Sequence, residues 1–200
     1  YIAGTAARKA SEDVRDRLFK LAAQMLEVSD SDLILGDEKI SVKGAPSRSV
    51  PLGQLADRAK DSDEGPLSGR YTFGRLPTYP SYSVNIATVE VDLDTGRIHL
   101  IDLVAAQDVG KALNPMLVEG QIEGGAVQSV AYGMMEGYVY DEAGHVGNPN
   151  LLDYAIPTSV DMPRVKTVLV EQGCDHGPYG AKGVGEPPII PGVAAIANAV

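Results

Sequence analysis

The sequence predicts an α+β fold, helices packed on a mixed, largely antiparallel sheet, and three observations carry that expectation. Residues 5–28 repeat apolar side chains at helical spacing. Residues 83–106 alternate with period two on either side of Asp94-Thr95-Gly96, which reads as a long hairpin. Asn114 followed by Pro115 is the N-cap and first-position signature of a second long helix. Mixed hairpins and helices of this kind indicate an α+β domain in which helices pack on largely antiparallel sheet. With 200 residues and 44% hydrophobic content the chain can bury a sizeable core as one domain, residues 1–200.

In the first helix Val14, Leu18, Leu21, Ala22, Met25 and Leu26 form the apolar stripe, with Arg15, Asp16 and Lys20 between them. Leu33 to Val42, interrupted by Gly36-Asp37-Glu38, reads as a hairpin. Pro51 at a first helical position opens a short helix with Leu52, Leu55, Ala56 and Ala59 on one side. The polar, Gly- and Pro-punctuated tract near residues 60–70 is a loop, and it is the expected boundary between two subdomains. Residues 71–82 gather Tyr71, Tyr79 and Tyr82 without periodicity, rings that either cover the sheet or touch a partner.

The helix opened by Asn114-Pro115 should run to about Glu136. It holds Gly120-Gln121-Ile122-Glu123-Gly124-Gly125, and each interior glycine costs ~1 kcal/mol relative to Ala. Three such glycines call for close approach, by another backbone or by a flat bulky cofactor. Tyr138 to Val146 reads as a further hairpin, Leu151, Leu152, Tyr154 and Ile156 as core anchors in a loop-like tract, and Val165 to Val170 as a strand.

Charge and composition remove several functions. A net charge of −10 without a basic run argues against nucleic acid and anionic membranes. The single cysteine, Cys174, cannot ligate an iron–sulfur cluster, which takes about four thiolates, so any such cluster lies elsewhere. No apolar run approaches the ~18 residues of a membrane span and no signal peptide is visible, which points to the cytoplasm. The start at Tyr1 and the stop at Val200, inside an apolar helix, suggest a piece of a longer polypeptide.

The most informative stretch is Pro178 to Pro191. Gly180, Gly183 and Gly185 allow close backbone approach to a ligand, and Pro187-Pro188 then restrict the chain. Between them stands one carboxylate, Glu186, ahead of an apolar run from Ile189 to Val200 that reads as a buried helix. There it is either a general base held as an anion by the helix dipole or a cap on that helix. A phosphate loop is excluded, because these glycines lack the required spacing and no Lys followed by Ser or Thr sits where such a loop needs it. His99, His145 and His176 are too scattered for a metal site, and Cys174 with His176 lacks the third group that orients a nucleophile. Asp108 and Glu123 remain conceivable carboxylate partners of Glu186 for hydrolysis.

Five stretches in order carry a resemblance: Asp92-Leu93-Asp94-Thr95-Gly96, the segments Asp108 to Pro115 and Gly120 to Gly125, Leu151 to Thr158, and Gly180 to Pro188. Together they resemble the C-terminal molybdopterin-binding domain of the large subunit of molybdenum hydroxylases, the xanthine dehydrogenase and aldehyde oxidoreductase family. The resemblance implies a molybdenum-molybdopterin cofactor, bare or as its cytosine dinucleotide, with Glu186 as the catalytic base. It implies cofactor contact at Gln121, Gly120, Gly124, Gly125, Lys182, Gly183 and Gly185, and no metal ligand from the chain. The implied reaction is hydroxylation of an electron-poor carbon of a heterocycle or aldehyde, with attack by metal-bound hydroxide and hydride passing to a sulfido ligand. Implied partners are the preceding molybdopterin domain, iron–sulfur and FAD domains or subunits, a small-molecule substrate and further copies in an oligomer. The rival reading is a non-catalytic subunit or binding module that keeps the fold without the metal.

Overall fold

A computed structural model describes residues 1–62, 65–72 and 79–200. The fold is α+β: helices with two three-stranded sheets, divided between two compact units, residues 2–76 and residues 77–200 together with Tyr1. The division falls a few residues past the polar tract expected near 60–70. Part of that tract, 63–64, and half of the stretch 71–82, residues 73–78, lie outside the described residues. Tyr82, just beyond, is 69% exposed, so its ring does not cover the sheet. Among the described residues no helix is long and apolar enough to cross a membrane.

In the first unit α1 spans Ile2–Leu26 and ends where Glu27 turns to φ 52°. The strands β1 (Leu33–Gly36), β2 (Lys39–Val42) and β3 (Ala45–Pro51) form an antiparallel meander. Asp37 and Glu38, at φ 50° and 59°, make the two-residue turn whose twist suits a hairpin. The sequence reading missed β3, which is mostly exposed and tucks only Val50 inward. Helix α2 (Leu52–Lys60) follows with Pro51 as its N-cap, one place earlier than expected. Leu18, Ala22, Ile40, Val50 and Leu55 form this unit's core. Full burial of a side chain such as Ile40 or Leu55 contributes about 1.5–3 kcal/mol.

In the second unit β4 (Ser83–Val91) pairs antiparallel with β5 (Ile98–Asp108), which pairs in parallel with β6 (Val165–Val170). Helix α3 (Pro115–Met134) lies in the connection between the parallel strands, and α4 (Gly192–Ala199) packs near β4. Leu103, Ala105, Val109, Ile122, Ala126, Val130 and Ile196 form the core, so the sheet's inner face rests on α3 and α4.

Three local expectations change. The hairpin at 138–146 reduces to a single bridge, Tyr140 with Val146. Leu151 and Leu152 are 78% and 95% exposed rather than buried, because the tract has no strand or helix to carry them inward. The apolar run from Ile189 does not form one helix: a 3-10 turn spans Pro187–Ile189, and α4 starts only at Gly192.

Candidate functional site

Helix α3 supplies one wall. The Asn114 side chain accepts from the Leu117 amide at 3.3 Å and Pro115 occupies the first helical position, which sets where the helix begins. One face, with Ile122, Gly125, Ala126, Ser129 and Val130, is buried, while Leu117, Gly120, Gln121 and Gly124 are exposed. A Cβ at Gly125 would stand 2.7 Å from Pro188 Cβ and 3.3 Å from the Ile189 amide. At Gly120 or Gly124 it would meet nothing within 4 Å. The two explanations of the glycines therefore divide between positions: protein packing accounts for Gly125, and an open surface remains at Gly120 and Gly124.

The other wall is the glycine-rich loop, tied to the end of β5. The Gly180 carbonyl accepts from the amides of Lys111 at 2.9 Å and Cys174 at 3.2 Å, and the Lys182 amide donates to the Val109 carbonyl at 2.9 Å. Tyr179 at φ 53° and Gly180 at φ 86° bend the chain into this register. Gly110 at φ 67° lets the two segments meet, since a Cβ there would collide with the Gly180 carbonyl. Glu171 secures the next residues, accepting from the Ala112 amide at 2.8 Å and from Lys111 Nζ at 3.0 Å. The Ala112 amide, and after it Lys111, hold the Glu171 carboxyl below the usual carboxylate range.

The walls converge at Gly185, where a Cβ would lie 3.8 Å from Gln121 Oε1. Between them is a recess of about 280 Å³ lined by Val109, Leu117, Gln121, Lys182 and Val184 among others. Gly183 faces open space. A larger hollow of about 1100 Å³, around Ile98 to Ile101, Met134 and Ile196, contains none of the expected site residues. The small recess is the one next to the chemistry.

Glu186 follows Gly185 and is exposed. Its carboxylate has no hydrogen-bond or ion-pair partner among the described residues, and it makes no side-chain cap to the 3-10 turn behind it. The capping alternative therefore loses its geometry, and so does the expected helix dipole, because α4 begins six positions later. Asp108 is not a hydrolytic partner of Glu186: its Oδ2 receives Lys182 Nζ at 2.6 Å, with both side chains more than nine-tenths buried. The Lys182 ammonium, which also donates to the Pro80 carbonyl at 3.2 Å, is turned into the protein rather than into the recess. No single-sequence signal announced that pairing, since the two residues stand 74 apart. Among the described residues no cluster of three or more His, Cys, Asp or Glu side chains is placed to hold a metal.

An α+β unit with a bare-faced helix, a glycine-rich loop and an unpaired carboxylate suits a bulky cofactor that brings its own metal ligands. The comparisons give the same class. The sequence profile of the molybdopterin cofactor-binding domain matches residues 1–163, and the chain belongs to that family. The carbon monoxide dehydrogenase large chain of Afipia carboxidovorans is 33% identical over 99% of this chain and 25% of its own length. The xanthine dehydrogenase molybdenum-binding subunit of Escherichia coli is 34% identical over 100% of this chain and 27% of its own. The crystal structure of a Cu,Mo-CO dehydrogenase superposes with a TM-score of 0.86 at 31% identity, over 98% of this chain and 25% of that one. The chain thus spans about a quarter of the length of the relatives it matches, each of them a subunit of a larger enzyme.

Proposed function

We infer that this chain is the part of a molybdenum-cofactor oxidoreductase that carries the catalytic base, in an enzyme that hydroxylates an electron-poor carbon of a heterocycle or aldehyde. The observation that carries this reading is the unpartnered Glu186 carboxylate at the end of a loop whose preceding residue, Gly185, stands against Gln121. The residues fit the cofactor: Gly120, Gly124 and Gly183 present bare backbone to open space, and Gln121 offers an amide at the recess. Once bound, the molybdenum centre supplies Lewis acidity and a sink for two electrons. The chain's part is to hold the pterin with Gln121 and the bare backbone, and to accept a proton at a Glu186 carboxylate oxygen as substrate is attacked. Electrons must leave through iron–sulfur and flavin groups on other domains or subunits, since one cysteine cannot hold a cluster. A preceding molybdopterin domain completes the pocket, and the assembly works in the cytoplasm as an oligomer. A non-catalytic module that keeps the fold is the weaker reading, because it gives an exposed, unpaired carboxylate beside the recess no role.

The test is Glu186→Gln in the whole enzyme. The amide preserves side-chain size but cannot take the proton, so molybdenum content and folding should hold while kcat falls by at least about 10²–10⁴. Near-normal turnover at full molybdenum content would remove Glu186 from the reaction.

A further inference from the structure

The loop that presents Glu186 is held by polar contacts only at its two ends, and between them Val184 alone packs against the core. Among the described residues Gly183, Val184 and Gly185 make no hydrogen bond. Behind Glu186 the 3-10 turn is stopped by Pro188 against Gly125. Ahead of it stands Lys182, held through its amide by the Val109 carbonyl and through Nζ by Asp108 Oδ2 and the Pro80 carbonyl. Asp108 is fixed in turn, its Oδ1 accepting from the Gly110 amide at 3.1 Å.

A buried ion pair is a poor device for stability alone, since the desolvation of two charges offsets most of their attraction and an apolar replacement often does as well. It does fix geometry. The bond directions of Nζ and Oδ2 set where the backbone of Lys182 lies, four positions before the carboxylate.

We propose that Asp108 and Lys182 are positioning residues: their buried pair locks the root of the 183–186 loop to the end of β5 and so sets Glu186 and Gly185 against Gln121. This rests on the reading of Glu186 as the base. It assigns the Lys182 ammonium a place inside the protein, leaving only the backbone of that residue for the cofactor.

The experiment compares Lys182→Met with the double variant Asp108→Asn/Lys182→Met in the holoenzyme. The single variant leaves a buried charge unpaired and can fail to fold; the double removes both charges, and the side-chain carbonyl of the asparagine can still accept from the Gly110 amide. Positioning predicts that the double variant keeps its molybdenum and its global stability yet loses about 10²-fold in kcat, with KM changed far less, because displacement of about 1 Å costs that much. Independently of activity, amide hydrogen exchange should quicken about tenfold at Lys111 and at 181–182 while β6 stays protected, the pattern of local rather than global opening. Wild-type kcat and exchange in the double variant would overturn the proposal, as would exchange that quickens equally in β6. If Glu186→Gln in the same enzyme retains turnover, the base assignment fails instead, and the exchange comparison still decides whether the pair locks the loop root.

Discussion

On one face of α3 a methyl added at Gly125 would stand 2.7 Å from Pro188 Cβ; one residue earlier, on the open face, a methyl at Gly124 would meet nothing within 4 Å. The same contrast recurs in the glycine-rich loop and its support. Gly110 is enclosed by Gly180 and Lys182, whereas Gly183 faces empty space. Gly124 and Gly125 are glycines that a propensity argument treats alike, at ~1 kcal/mol each inside a helix. The enclosed ones have their reason within the chain, in backbone that must come close to backbone. The open ones have none among the described residues, and under the proposed function theirs is the bare backbone left for the cofactor. Loops and helix faces of this kind, carried on a rigid scaffold, are where binding residues concentrate.

The enclosed class should show the largest effect. Gly110→Ala places a Cβ at φ 67° against the Gly180 carbonyl and the Lys182 amide, so backbone strain and collision act together. Each is of order 1–3 kcal/mol, and we expect destabilisation of about 3 kcal/mol or more, seen as a lowered denaturation midpoint with loss of bound molybdenum. A variant as stable as wild type would mean that the two segments are not held this closely. Gly125→Ala is next. Overpacking against Pro188 costs about 1–3 kcal/mol and the better helix propensity returns about 1, so a net loss of about 1 kcal/mol is expected in thermal unfolding. A net gain would show that the 3-10 turn moves aside freely.

What could be read without coordinates was local. The Asn114-Pro115 start is made by one side chain and an amide three residues on, and the Asp94-Thr95-Gly96 turn by Asp92 accepting from the amides of Asp94 and Thr95 at 2.9 and 3.1 Å. Both lie inside a window of a few residues, where sequence carries the physics. The unread parts depended on what stands opposite. Strand β3 exposes most of its side chains and shows no alternation to find. Leu151 and Leu152 look like core residues, but apolar character says nothing about whether an element exists to bury them. The partner of Lys182 is 74 residues away, and the division of the glycines into enclosed and open required knowing that Pro188, and not solvent, lies over Gly125. Glu186 was legible as a singular carboxylate between glycines and prolines; that it neither caps nor pairs was not.

The smallest effect belongs to Gly124→Ala, and its sign is opposite to that of its neighbour. None of the described residues approaches that position and its backbone is ordinary helix, so alanine should stabilise the cofactor-free subunit by up to about 1 kcal/mol. The loaded enzyme should answer differently. If the pterin lies over the Gly120–Gly124 face, the methyl occupies its space, and molybdenum and pterin content per subunit should fall although the protein itself is more stable. Gain in one state and loss in the other cannot come from helix propensity, which acts equally in both. Thermal unfolding of the cofactor-free subunit, set beside metal and pterin analysis of the loaded one, reads the two quantities separately. Full occupancy together with the gain in stability would show that nothing closes on Gly124, and the assignment of Gly120 and Gly124 to the cofactor surface would have to be given up, while Gln121 and Gly185 would keep their place beside the recess.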